Sequence, residues 1–377
     1  MKVGIDSFAC DGGKAGAGAY LTQLLKRIPP SGALFEIFGW EFDRYAYNDI
    51  APNLEFVARC SIDGKTANSL WHLFKYEEFA KTRNYNVCFF PAAHRLAAPR
   101  RSPCPTVGTV HDMAAYYWGR GKTRERLGLV PRVILPAALR RLDRIIAVSN
   151  WVRQELVELT RVKESRIEVV PNGIDLEAFR LLPKNEESVV LIQPFSFRRP
   201  YVLCVSRIEH PIKNHIRLIE AFRIFKERTK YPHRLVLAGG DGQGSETVKR
   251  AAHASPYRND IFFTGHFPLR SLPKLYSGAD IAVFPSMYEG FGSGVLEAMA
   301  TGVPVACARA AGLPETAEHA ALYFNPLDSE DMADRLVTLT ANREIYRNCR
   351  RLGLERVQSF SWDRCAERTL RIIQETV

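Results

Sequence analysis

Two glutamates eight positions apart, Glu289 and Glu297, bracket a glycine-rich turn in the segment YEGFGSGVLEAMATGVPV. The apolar run IAVFPS before it reads as a buried strand, and VLEAMA after it as the start of a helix that Gly302 closes. Such a turn points backbone N–H groups over the helix N-terminus, where the helix dipole favours an anion. Glu297, early in that helix, cannot bind phosphate, but its carboxylate can accept hydrogen bonds from sugar hydroxyls. An anion and a sugar together point to a nucleotide sugar.

Four further features carry chemistry. The strand-like YVLCVS ends at Arg207, and Lys213 follows just before Asn214 opens a helix. Two cations at a strand end suit a diphosphate leaving group, Arg as a bidentate fork and Lys as a point charge. By itself such a pair is as compatible with ordinary surface charge. Gly312-Leu313-Pro314-Glu315 is a second glycine turn between the strand PVACA and a helix. In the first half, KAGAGAY sets Gly16 and Gly18 directly before the helical AYLTQLL, where backbone can approach a phosphate closely. A lone GxG is a weak fingerprint. Finally, TVGTV ends in His111-Asp112. A lone histidine is commonly a satisfied structural residue, but a place at a strand's carboxyl end favours function.

The elements that must position these residues alternate. KVGID, VCFFP, TVGTV, RIIAVS and RIEVVPNG read as strands, with helices AYLTQLLKRI and NWVRQELVEL among them and Ser149 or Asn150 as the N-cap of the latter. After Asn172-Gly173 the pattern loosens, and it restarts at YVLCVS. Helix NHIRLIEAFRIF follows, with Ile216, Ile219, Phe222 and Phe225 expected on one buried stripe, then HRLVLAGG, IFFTGH, IAVFPS, PVACA and ALYFNP as strands. The final 50 or so residues are helical in character. Strand–helix alternation predicts parallel sheets covered on both faces, so the fold class is α/β with two doubly wound Rossmann-like domains. The expected boundaries are 1–182 for the first domain, 183–199 for a linker, 200–358 for the second domain and 359–377 for a last helix. Ligands of such sheets bind at the carboxyl ends of the strands, which puts the expected site in a cleft between the domains.

Length and composition bound the rest. At 377 residues the chain exceeds one ordinary domain, and 46% hydrophobic residues suffice for globular cores. No apolar run is long enough to span a bilayer, and MKVGIDSFAC lacks the form of a signal peptide, so the expected location is cytoplasmic. Eight scattered cysteines without CxxC predict reduced, mostly buried thiols. Of the net charge of +11, residues 1–184 carry +8. The densest patch, residues 120–144, holds Arg120, Lys122, Arg124, Arg126, Arg132, Arg140, Arg141 and Arg144 interleaved with apolar LGLV, VIL and AAL. Such a stretch suits anionic lipid headgroups, and equally a solvated helix face. No nucleic-acid motif accompanies it, so nucleic acid is not an expected partner.

In order along the chain, GAGAY, TVHD, IIAVSNWVRQEL, VVPNGID, VSRIEHPIKN, LVLAGGDG, FTGH, LYSGADIAVFPSMYEGFG, VLEAMATGVPV and GLPE resemble the retaining GT-B glycosyltransferases of family GT4. The resemblance covers most of the chain. It implies a hexosyltransferase of surface-polysaccharide assembly, mannose favoured and glucose next, using a GDP- or UDP-linked donor and a glycan or lipid-linked acceptor. It implies that Glu297 holds the ribose hydroxyls, Arg207 and Lys213 the diphosphate, and Glu289 with the backbone of Gly290, Phe291 and Gly292 the donor sugar. Gly16 and Gly18 would let a loop pack against the diphosphate, and His111 would meet the hexose near its C6 hydroxyl, with Asp112 beside it. The last helix would cross back onto the first domain. Acceptors would be read by loops around residues 40–70 and 94–126.

Two departures stand out. Relatives commonly carry Leu-Pro where this chain has Ser293-Gly294, and Arg207 and Lys213 stand one residue further apart than is usual, with His210 and Pro211 between them. No DxD sits at a strand end, so no metal cofactor is expected and the two cations would neutralise the leaving group. Competing readings are a GT-B-fold epimerase or phosphorylase, and a catalytically silent basic protein binding lipid or nucleic acid.

Overall fold

In the computed structural model, which describes residues 1–13, 16–30, 32–58, 71–72, 74–95, 101–118, 129–181, 189–192 and 195–377, two parallel sheets organise the chain. The first has the order β3-β2-β1-β4-β5-β6-β7, from Lys2–Asp6 (β1), Leu34–Gly39 (β2), Leu54–Ala58 (β3), Val87–Phe90 (β4), Thr106–Val110 (β5), Arg144–Ala147 (β6) and Ile167–Val169 (β7). Its central strands are buried on both faces, as helix-covered parallel strands must be. Ser149 is the cap of the helix Asn150–Glu155, its Oγ accepting from the Val152 N–H at 3.2 Å.

Strands β2 and β3 have no counterpart among the sequence expectations. The apolar run LFEIFG is broken by Glu36, which is nevertheless buried. Its carboxylate accepts from Arg83 and Tyr85 and pairs with Lys2 at 3.0 Å. Those partners hold the carboxyl below its usual range against the burial that would raise it.

The second sheet has the order β12-β11-β10-β13-β14-β15, from Tyr201–Val205 (β10), Arg234–Ala238 (β11), Ile261–Phe263 (β12), Ile281–Phe284 (β13), Val305–Ala308 (β14) and Ala321–Phe324 (β15). In the helix His215–Thr229 the buried face is Leu218, Ile219, Ala221, Phe222, Ile224 and Phe225, while Ile216 sits at its margin. A spacing of three drifts round a helix of 3.6 residues per turn, which is why the expected stripe misses Leu218 and Ala221.

The chain divides into two compact units, residues 1–173 with 361–377, and residues 174–360. The last helix, Trp362–Glu375, belongs to the first unit: Cys365, Ala366, Ile372 and Ile373 enter its core, and Arg27 pairs with Asp363 at 2.5 Å. Gly173 makes that docking possible, because a Cβ there would lie 2.2 Å from the Trp362 nitrogen. Within the expected linker, Val189–Ile192 (β8) and Phe195–Arg198 (β9) pair as an antiparallel ribbon. The β-branched and aromatic residues of VVLI and FSFR favour a strand although their pattern has no clear period. The seven described cysteines are thiols; Cys60 lies outside the described residues.

Candidate functional site

In the second unit, three segments at the carboxyl ends of neighbouring strands are tied together by backbone. β13 is wholly buried and is followed directly by Pro285-Ser286. Asn214, itself buried with φ 57°, donates from Nδ2 to the Pro285 carbonyl at 3.1 Å and the Pro326 carbonyl at 2.7 Å. The Met287 N–H donates to the Ile212 carbonyl at 2.8 Å. These bonds fix Lys213 against the turn that carries Glu289. Lys213 Nζ and Glu289 Oε1 are 2.6 Å apart, and the Ser286 hydroxyl donates to the same oxygen at 2.7 Å. Two of the expected site residues, 76 positions apart in sequence, therefore meet directly.

The turn itself needs its glycines. Gly292 takes φ 91° at the N-cap of the helix Ser293–Ala300, a left-handed conformation that other residues rarely adopt. The Gly312 N–H donates to the Glu289 carbonyl at 2.9 Å, and a Cβ on Gly312 would stand 2.4 Å from the Gly290 oxygen. The GLPE turn thus clamps the EGFG turn from behind. Phe291 turns inward against Phe360, with ring centroids 5.6 Å apart, so only its backbone is left for a ligand. Its carbonyl is taken by the Thr316 hydroxyl.

Arg207 follows β10 and is exposed, its aliphatic stem lying over Gly242, where a Cβ would come within 2.8 Å. Among the described residues, its guanidinium forms no ion pair. It remains a cation available to an incoming anion. Glu297 keeps some surface but lies deep among protein atoms, and burial pushes its carboxyl up to about 7, partly countered by the Tyr276 hydroxyl. His215, two residues beyond Lys213, is fully buried with Nε2 2.9 Å from Ser206 Oγ, and burial lowers it to about 4.

In the first unit, His111 directly follows β5. Its Nε2 donates to the Pro91 carbonyl at 2.9 Å, which leaves Nδ1 with the lone pair. Burial lowers its pKa to about 4, so the ring is a neutral acceptor at physiological pH. Asp112 caps the next turn through the Ala114 N–H at 3.0 Å and faces His94 Nε2 at 3.7 Å. Burial opposes its ionisation, yet His94, the Ala114 N–H and His111 bring its carboxyl below the usual range. Gly16 is exposed, with φ 55° and open space around it apart from Arg95 Nη2, which a Cβ would meet at 3.8 Å. Gly18 is different. A Cβ there would lie 2.0 Å from the Cys10 carbonyl oxygen, so its missing side chain is filled by its own chain.

Sequence reasoning passed over several groups here. Arg95 pairs with Asp11 at 2.5 Å, Asp6 with buried His72 at 2.5 Å, and the Ser7 hydroxyl with Asp43 at 2.8 Å. Burial raises Asp43 to about 6. Only Ser286 and Asp6 had a visible signal, each standing at or just past the end of an apolar strand. The patch of residues 120–144 is described from residue 129 onward; Arg120, Lys122, Arg124 and Arg126 lie outside the described residues.

Comparison with known proteins agrees with this architecture. The family described as Glycosyl transferases group 1 matches residues 191–356, and the one described as Glycosyltransferase Family 4 matches residues 15–178. The O-antigen chain mannosyltransferase B of Escherichia coli is 26% identical over 301 residues, 80% of this chain and 75% of that protein. Sucrose-phosphate synthase from Thermosynechococcus elongatus superposes with a TM-score of 0.77 at 18% identity, over 100% of this chain and 98% of that one. Anabaena Alr3699/HepE, solved in complex with UDP and glucose, gives a TM-score of 0.76 at 19% identity over 99% of both chains. Two parallel Rossmann-like sheets, a glycine turn flanked by Glu289 and Glu297, and both halves of the family in order lead to one conclusion: the chain belongs to the family 4 glycosyltransferases, enzymes of GT-B fold that transfer a sugar from a nucleotide sugar.

Proposed function

We propose that this enzyme moves a hexose, mannose in the first instance and glucose next, from a GDP- or UDP-linked donor to a glycan or lipid-linked acceptor of surface-polysaccharide assembly. The observation that carries the reading is the Lys213–Glu289 pair on the glycine turn that opens the helix Ser293–Ala300. Support for mannose comes from the likeness to the E. coli O-antigen enzyme. Glu297 accepts the ribose hydroxyls, and Arg207 and Lys213 take the diphosphate. Glu289, with backbone of Gly290, Phe291 and Gly292, takes the sugar. In the first unit, His111 Nδ1 accepts from the hexose hydroxyl at C6, and Gly16 offers open backbone to phosphate, with Gly18 keeping its loop tight.

The resting pair gives the donor something to exchange. Lys213 and Glu289 satisfy each other at 2.6 Å, and an arriving diphosphate competes for the ammonium. Glu289 is then released to accept from a sugar hydroxyl. In the reaction, the acceptor oxygen bonds to the anomeric carbon on the face from which the diphosphate departs. The electron pair of the breaking C–O bond goes to the β-phosphate oxygen, and the acceptor proton passes to that phosphate, so configuration is retained. Arg207, Lys213 and the helix N-terminus neutralise the charge that develops, in the role a metal plays elsewhere.

A membrane-proximal acceptor is supported by the helix Leu129–Leu139, where Val133 and Ile134 are 62% and 49% exposed beside exposed Arg132, with Arg140 and Arg141 just beyond. Among the described residues no helix is long and apolar enough to cross a membrane, so contact would be peripheral. The test of function is release of nucleoside diphosphate from GDP- and UDP-hexoses with lipid-linked saccharide acceptors, read with the mass of the glycosylated product. An epimerised nucleotide sugar, or turnover that requires inorganic phosphate, would favour the competing chemistries instead.

A further inference from the structure

Tyr276, on the helix Leu272–Gly278, is fully buried, and its hydroxyl lies near Glu297 without a hydrogen bond of ordinary length and angle to any described residue. A phenol without a well-formed bond in a packed interior is costly unless it gains a partner in some state. Its ring is held edge-on to Phe179 with centroids 6.3 Å apart, so the hydroxyl end is directed and does not float. It points under the first turn of the helix Ser293–Ala300: a Cβ on Gly294 would lie 3.2 Å from this oxygen and 2.8 Å from Phe284 Cε1. The tight space suits the glycine at position 294. Proline or any larger residue at 294 would collide with Phe284 and crowd the phenol, and glycine leaves the space that the phenol uses.

The group across from that hydroxyl is Glu297, one turn further along the same helix. Tyr276 is the one side chain whose charge or hydrogen bonding acts on Glu297 among the described residues, and Glu297 in turn raises the tyrosine. Cys204 also faces the phenol from β10, but burial pushes its thiol up to about 12, so it is neutral. We propose that Tyr276 is a positioning residue for the donor site, its hydroxyl donating to the Glu297 carboxylate when ribose hydroxyls engage the carboxylate's other oxygen. The inference rests on the reading of Glu297 as the ribose-binding group. Donation stabilises the ionised form, the form that accepts from two ribose hydroxyls. Even with the phenol beside it, burial holds the Glu297 carboxyl near 7, so it is only part ionised at neutral pH. Nucleotide affinity should therefore rise with pH through about 7.

The test is calorimetric titration of UDP and GDP into the intact enzyme from pH 5.5 to 8.5, for the parent, Tyr276→Phe, Glu297→Gln and the double variant. Tyr276→Phe is expected to weaken binding about 3- to 10-fold near pH 7, to move the pH midpoint upward and to leave kcat at saturating donor unchanged. Loss of an unbonded hydroxyl should leave Tm at or above the parent's, so misfolding is separable. Glu297→Gln should abolish the pH dependence near 7, and the double variant should bind no more weakly than Glu297→Gln alone. If Tyr276→Phe keeps the parent's affinity and midpoint while Glu297→Gln binds weakly, the role of Tyr276 is overturned and the ribose reading stands. If Glu297→Gln binds like the parent, both fall.

Discussion

Gly312→Ala isolates the geometry of the donor turn from its chemistry. Gly312 has φ −76° and ψ −7°, an ordinary right-handed conformation, so alanine brings no backbone strain. What it brings is a Cβ 2.4 Å from the Gly290 oxygen, 2.8 Å from the Gly290 carbonyl carbon and 3.0 Å from the Glu289 oxygen. All three are backbone atoms that cannot rotate away. Restoring an ordinary contact of about 3.4 Å requires the Glu289–Gly290 backbone to retreat by about 1 Å. That retreat stretches the Gly312–Glu289 hydrogen bond and pulls Glu289 from Lys213. Overpacking of this kind costs about 1–3 kcal/mol of stability, and misplacement by about 1 Å in a site costs on the order of 100-fold in rate. The expected variant is folded, with a Tm a few degrees lower and kcat/KM reduced roughly 30- to 100-fold, read by nucleoside diphosphate release. A variant with lowered Tm and the parent's kcat/KM would refute the placement of the sugar site on this turn. Parental Tm together with parental turnover would refute the contact itself.

Other outcomes follow from the same geometry. Lys213→Gln should cut kcat/KM about 100-fold or more, because it removes the cation beside the leaving group and strands the half-buried Glu289; turnover within a factor of three would contradict this. Activity should persist in EDTA, since Arg207 and Lys213 supply the neutralising charge; loss on chelation with restoration by Mg²⁺ or Mn²⁺ would overturn the cationic account. His215, at about 4 when folded and near 6.5 when unfolded, binds fewer protons folded between those values, so it makes stability fall as pH drops through that window. Its share is about 2 kcal/mol between pH 7 and pH 5, and urea unfolding of His215→Gln should show a correspondingly shallower fall than the parent. Replacing Arg132, Arg140 and Arg141 by Ser and Val133 by Asp should weaken co-sedimentation with anionic vesicles, and the parent's binding should fade at high salt; equal, negligible binding to anionic and neutral vesicles would rule the surface out.

The parts of the site legible in the sequence are those whose partners are local. The glycines of EGFG and the helix after them lie within one turn of chain, and a buried strand followed by a glycine turn has few other readings. The Lys213–Glu289 bond joins segments 76 residues apart, so spacing names both ends without revealing that they meet. Gly18 is instructive in the opposite sense. Its place in GAG suggested backbone approach to a ligand, and the space is taken by the Cys10 carbonyl. Strand β2 was hidden by Glu36, a charge that is tolerable in the interior only because Lys2, Arg83 and Tyr85 converge on it from elsewhere in the chain. Tyr276 carried no signal at all within LYSGAD, since its meaning depends on an empty position at Gly294 in another helix.

The most direct test of the donor site is hydrogen–deuterium exchange of the intact enzyme with and without saturating UDP, GDP and ADP. At least one nucleotide is expected to slow exchange in residues 206–214, 286–298 and 310–316 of the second unit, because those backbone segments close on the diphosphate and ribose. Protection that spares all three segments, or no protection by any of the nucleotides, would contradict it.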